Sequence, residues 1–444
     1  MQRKHFVFVL VILSLLAPSG TVFASTLSKS RLETVFINRV TARTSQAVSQ
    51  SAEPTVTPAD SSETVNEATE PTDPDMPATG ILATDTLTTE SAAQNERIYL
   101  PLIASSNNGG DTVQDAGAPV APGIGMWLNA QEIAKLPMSG AAWTYLKAQA
   151  DKAVGTVTLS DQDSSANVNV MAKALVYART GVPSYRADVV AALRTITTGN
   201  TEKGARALAV GRELAAYVIA ADLINLRTAD AALDTQFRTK LRYLLTAPLT
   251  DGPKNLVTSN ELRPNNWGLH AGASRIAVAL YLGDKVELDR AALVFQGWLG
   301  DRAKYSGFKY GDLDWQSDPS RPVGINPVGA TKAGNSIDGV LPDDMRRGGS
   351  FHWPPSSTGY PWEALQGAVV QAELLSRAGY PAWEWQNKAI LRSVKFLYTI
   401  GWPAVSDDQW QLWIINRAYG TSYATSTTAK PGKNVGWTSW TSVR

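Results

Sequence analysis

The chain of 444 residues contains no cysteine. It therefore forms no disulfide, holds no thiolate-bound metal or iron–sulfur cluster, and carries no thiol nucleophile. Exported proteins often lean on disulfides; this one must draw its stability from a large hydrophobic core. Charge of one sign is also lacking. A formal net charge of +1 provides no broad basic face of the kind that nucleic acid requires. The chain has no phosphate loop, nucleotide fingerprint or GxSxG elbow, and no pair of potential ligands shows a familiar metal-site spacing. The chemistry inferred below accordingly needs no cofactor and no metal.

Long apolar runs are missing too. The longest, from Phe6 to Ala17, falls short of the about 20 residues that span a bilayer. Arg3 and Lys4 precede it and Val22-Phe23-Ala24 follow it, the layout of a secretory signal over residues 1–24. The mature protein is expected to be secreted, monomeric and free of the membrane. Aromatic residues are absent from 37 to 98, and residues 51–80 hold seven acids without one Lys or Arg. Such a segment buries too little apolar surface to offset its ordering entropy, so residues 25–120 read as a disordered linker. All fourteen tryptophans fall between Trp127 and Trp440, which places the folded domain at 121–444.

What is present in that domain is helical periodicity. AAWTYLKAQADKA, NVMAKALVYART, RADVVAALRTITT, ARALAVGRELAAYVIAADLINL and LDTQFRTKLRYLL space apolar residues three and four apart. So do SRIAVALYLG, ELDRAALVFQGWLG, WEALQGAVVQAELLSRAG, WEWQNKAILRSVKFLYTIG and DDQWQLWIINRAYG. Alternating strands are scarce. Roughly ten helices with short loops predict an all-α fold of stacked helical hairpins, a toroid or a solenoid. No fixed-period repeat is visible, which excludes the solenoids with strong signatures. The segment from Gly300 to Tyr360 breaks the pattern with ten glycines and little periodicity. A structureless insert of that length in a compact domain is usually functional.

Histidine is nearly absent. Of three, His5 lies in the leader, His270 in RPNNWGLHAGAS and His352 in RRGGSFHWPP. Pro264 suits the first turn of a helix beginning near Asn265. On that helix Asn266 and His270 share a face, with Trp267 beside them. Asn265 reads either as a helix cap or as a substrate contact. Arg346 and Arg347 offer guanidinium forks suited to a carboxylate, and Tyr360 heads the helix after the loop. Amide, imidazole, guanidinium and phenol together suit the binding and chemical alteration of an acidic sugar. In β-elimination of a polyuronate the proton beside the carboxylate becomes acidic once hydrogen bonds and positive charge neutralise that carboxylate. A phenol beside an arginine can take the proton and return one to the leaving oxygen. Trp315, Trp353 and Trp362 are candidates to stack on sugar rings, whereas Trp383 and Trp385 read as structural.

These residues carry a resemblance. NNWGLHAGASRIAVALYLGD, DGVLPDDMRRGG and YPWEALQGAVV resemble the alginate lyase/chondroitin AC lyase superfamily of polysaccharide lyases, over most of residues 126–440. The resemblance implies an incomplete (α/α) toroid with a long glycine-rich active-site loop. It implies Tyr360 as base and acid, and Asn266 with Arg347 as carboxylate neutralisers on an acidic polysaccharide. The chain departs from the pattern twice. Trp267 stands where those enzymes carry histidine after the asparagines, which passes that role to His270. HWPPSST lies between Arg347-Gly348 and Tyr360, which offers His352 to the site.

Two other classes compete. Inverting glycoside hydrolases on helical toroids use two carboxylates, for which Asp338, Asp343, Asp344 and Glu363 are candidates. A non-catalytic carbohydrate-binding protein would retain the tryptophans and arginines without depending on Tyr360.

Overall fold

Helix starts are written locally in this chain. Asn129 forms a capping box with Glu132, each side chain meeting the other's backbone N–H, and Asp230 and Asp284 cap two later helices through Leu233 and Glu287. A computed structural model describes residues 119–251 and 253–442; the leader and nearly all of the linker lie outside the described residues. At the start of the described residues, the Val120 N–H donates to the Ala178 carbonyl at 2.7 Å.

In order, the helices are α1 (Ala130–Lys135), α2 (Ala141–Ala150), α3 (Ala166–Thr180), α4 (Pro183–Thr198), α5 (Ala207–Leu223), α6 (Leu226–Ala229) and α7 (Ala231–Thr246). There follow α8 (Leu256–Leu262), α9 (Asn266–Leu282), α10 (Lys285–Trp298), α11 (Pro342–Met345), α12 (Tyr360–Arg377), α13 (Trp385–Thr399), α14 (Trp410–Tyr419) and α15 (Thr438–Thr441). Among the described residues the chain is mostly helical with almost no strand, consistent with the all-α class that its periodicity predicts. Among the described residues no helix is long and apolar enough to cross a membrane.

The helices sort into an inner and an outer row. Helices α3, α5, α9, α12 and α14 pack side by side in that sequence, and α5, α9 and α12 are buried along nearly their whole length. A helix apolar on every face belongs inside. Helices α4, α7 and α10 lie against them with one buried stripe each. The C-terminal segment returns to the N-terminal helices. Trp440 donates to the Pro137 carbonyl at 2.8 Å, Trp437 to that of Val168 at 2.8 Å, and the Trp440 ring meets Trp143.

The glycine-rich insert is more ordered than its composition suggests. It contains a hairpin, β1 (Thr331–Lys332) paired with β2 (Asn335–Ser336), then α11 and a 3-10 turn over Arg346–Gly348. Asn326, fully buried, ties it together: its Oδ1 accepts from Ser317 N, its Nδ2 donates to Trp315 O, and its carbonyl accepts from Arg392 of α13. Ile325, Ile337, Val340 and Leu341 enter the core. Buried side chains replace helical periodicity as the source of order there.

Candidate functional site

Two glycines set the geometry. A Cβ on Gly211 of α5 would stand 2.8 Å from the Ala271 nitrogen, and one on Gly367 of α12 would stand 2.4 Å from the Leu269 carbonyl carbon. Without side chains there, α5 and α12 close on the backbone of α9 from two directions. His270 lies at this crossing and has no exposed surface.

The imidazole is oriented from both ends. Its Nδ1 makes a short hydrogen bond with Asn434 Oδ1. Because Asn434 Nδ2 donates to the Gly211 carbonyl at 2.6 Å, its Oδ1 is the acceptor and Nδ1 carries a proton. Nε2 faces Glu363 Oε2 at 3.5 Å. Burial lowers the imidazole pKa, and the contact with Glu363 opposes that shift without overcoming it. Arg212 Nη2 donates to the same Glu363 oxygen at 2.7 Å. Burial alone would raise the Glu363 carboxyl. The contact with His270 and the charges of Arg212 and Lys433 outweigh it and hold the carboxyl at about 2.

A second carboxyl behaves oppositely. Asp408, from the 3-10 turn Ser406–Asp408, accepts from Gln366 Nε2 at 3.0 Å. Burial pushes it up to about 8, with the charges of Glu363 and Asp407 adding to the shift. At neutral pH Asp408 keeps its proton while Glu363 is ionised. Towards solvent, Lys433 Nζ lies 3.8 Å from both Asp163 and Asp407.

Tyr360 opens α12 one turn before Glu363. Arg347 Nη2 donates to its hydroxyl at 3.1 Å, and the guanidinium lies 4.3 Å from the ring centre. The start of α9 is tied to the same strip of chain, because Asn266 N donates to Asp344 Oδ1 at 3.0 Å. Asp344 is fully buried, which raises its carboxyl well above the usual range, and Asp343 adds to the effect. The two odd stretches of the sequence are thereby brought together, with Asp344 joining α9 to the arginine turn and Glu363 joining His270 to the Tyr360 turn.

Individual residues fall less uniformly. Asn265 is a cap, its Oδ1 accepting from Trp267 N. Asn266 is 1 % exposed, with its Oδ1 unpartnered. Trp267 is buried with the guanidiniums of Arg206 and Arg263 over its ring at 4.6 and 4.3 Å, so no sugar reaches its faces. Trp315 and Trp362 are likewise interior, donating to Gly349 O and Trp402 O. The expectation that these three contact sugar is corrected, because the core claims them. Arg346 is paired with Asp343 at 3.0 Å. His352 is exposed and shares a hydrogen bond with Ser356 Oγ at 2.9 Å. Trp353, at 41 % exposure, keeps an open surface. Asp338 is committed to Arg392 at 2.6 Å and to Gly329 N at 3.0 Å; the buried acid that feels the charge of Glu363 is Asp408 instead.

Arg212, Asn434, Asp408 and Lys433 escaped the sequence reading. Arg212 alone left a trace there: with Glu213 it interrupts the otherwise apolar ALAVGRELAAYVIA, and a charge inside a helix buried all round needs a partner. Comparison with family models, curated proteins and solved structures finds no match for this chain.

Proposed function

We propose that the protein is a secreted polysaccharide lyase that cleaves an acidic, uronate-containing polymer by β-elimination on an incomplete (α/α) toroid. The observation that carries this reading is the Arg347–Tyr360 pair at the head of α12, with 3.1 Å between guanidinium nitrogen and phenol oxygen. Tyr360, whose oxygen accepts a hydrogen bond from Arg347, acts as the base that removes the proton on the carbon beside the uronate carboxylate. The electron pair forms the new carbon–carbon double bond and expels the glycosidic oxygen, to which Tyr360 returns the proton. Arg347 also offers its charge to the carboxylate. Asn266 and His270, sealed beneath the surface, support this wall through Asp344 and Glu363. The toroid is supported by the inner row of helices and by the contact between its first and last segments.

The test is to mix the full chain with alginate, glucuronan, hyaluronan, chondroitin and pectate and follow ultraviolet absorbance of the unsaturated uronate. At least one polymer should give a rise, and Tyr360→Phe should reduce it by about 10² to 10⁴-fold. No rise with any polymer, or a Tyr360→Phe variant as active as the parent, refutes the reading.

One observation favours a second reading, an inverting glycoside hydrolase. Neighbouring carboxyls at about 2 and about 8 are a base and an acid divided by environment. That reading expects new reducing ends without ultraviolet absorbance. Its activity should fall as pH rises through about 8, the point at which Asp408 loses its proton.

A further inference from the structure

A groove lies against α13, lined in part by the loop that leads to Tyr360. Four α13 side chains, Arg392, Lys395, Phe396 and Thr399, share one face at helical spacing and line a cavity of about 260 Å³ with Trp353 and Asp338. The Trp353 ring touches Phe396 with centroids 6.5 Å apart at a tilted angle, which leaves much of the indole uncovered. The charges beside it differ in commitment. Arg392 is neutralised by Asp338 at 2.6 Å, whereas Lys395 is exposed and no ion pair claims it among the described residues.

We propose that this groove is a second sugar-binding subsite for an anionic residue of the polymer, with Trp353 as the stacking platform and Lys395 as the counter-charge. An open indole next to hydroxyl and charged groups matches the two-sided chemistry of a sugar, which has an apolar face and a polar rim. The uncompensated lysine selects a carboxylate or sulfate over a neutral sugar. Trp353 and Tyr360 are seven residues apart, so at most about 25 Å of chain separates them, within reach of one extended oligosaccharide. The choice of an acidic polymer rests on the proposed function; the groove itself does not.

The experiment is calorimetric titration of the full chain carrying Tyr360→Phe, so that no probe is consumed. The probes are hexasaccharides of mannuronate, guluronate and glucuronate, with cellohexaose as the neutral control. At least one acidic hexasaccharide should bind, and more tightly than cellohexaose. Adding Trp353→Ala should weaken that binding about tenfold, the effect of losing an aromatic anchor worth about 1.4 kcal/mol. Adding Lys395→Gln should weaken it less, by an amount that shrinks with salt. Both positions are exposed, and unchanged thermal unfolding would confirm that the variants fold. Undiminished affinity in Trp353→Ala, or no binding of any acidic hexasaccharide, overturns the subsite. The elimination assay on the unaltered chain separates the two ideas. Elimination by a chain whose affinity ignores Trp353 removes the subsite and leaves the lyase; affinity that depends on Trp353 without elimination removes the lyase and leaves the subsite.

Discussion

His270 and His352 are the two histidines of the folded region, and they differ in every physical respect. His270 has no exposed surface, a neighbour at each ring nitrogen, and two glycine-mediated helix contacts around it. His352 sits on an exposed loop with a serine hydroxyl for company. Rarity in the sequence made them look alike. The backbone separates them, since α9 is gripped by α5 and α12 whereas the loop before Tyr360 is held by Phe351 on Trp315 and Trp353 on Phe396, contacts that leave His352 between them exposed. A scarce polar residue is informative in proportion to how firmly its surroundings fix it.

The largest test of this contrast is Glu363→Gln. Breaking a largely buried pair strands its partner, and Arg212 is almost wholly enclosed. We expect a loss of about 3 kcal/mol in denaturant unfolding near neutral pH, at the lower end of the range because the Glu363 side chain is 23 % exposed. The sign of the pH dependence follows from the depressed carboxyl. Its contribution is fully present above the ordinary glutamate value of about 4.3 and disappears as pH falls through about 2. Parent and variant should therefore converge in acid. A constant gap down to pH about 2 would mean that Glu363 is not held in the ionised form.

A pair of glycines gives the next effect. Gly367→Ala puts a methyl into the backbone of α9 and should cost about 2 kcal/mol or more, as overpacking does. Gly359→Ala, eight residues earlier, meets nothing within 4 Å and has a φ of −80° that alanine adopts freely. It should stay within about 0.5 kcal/mol. Equal costs at the two positions would show that α12 and α9 are not in close contact.

Much of this was legible in the sequence because it is local. Helical spacing marks α3, α4, α5, α7, α9, α10 and α12, and Asn265 is readable as a cap. The short α8 was not, because its seven residues, LVTSNEL, carry no stripe and owe their start to a capping box of Asn255 with Thr258. Likewise Gln386, Asn387 and Lys388 fall in the left-handed region where periodicity suggests one uninterrupted helix. The Arg347–Tyr360 pair spans a loop whose path no spacing rule gives. The His270–Asn434 contact joins residues 164 apart, and nothing in a single chain marks such a pair. Trp267, Trp315 and Trp362 misled for the opposite reason, since an aromatic side chain has the same letter whether it plates a groove or fills a core.

The smallest expected effect closes the comparison. His352→Ala removes an exposed ring and one hydrogen bond to Ser356, so unfolding free energy should move by no more than about 0.5 kcal/mol. Its effect on elimination should be equally modest, about twofold or less, because a barrier change of about 0.4 kcal/mol alters a rate by a factor of about two. Stability and rate answer different questions here. A stable variant that has lost more than about tenfold in rate would place the imidazole in contact with substrate once polymer fills the cleft. The HWPPSST segment would then be a working wall of the site. Unchanged rates would assign that segment's contribution to Trp353 alone.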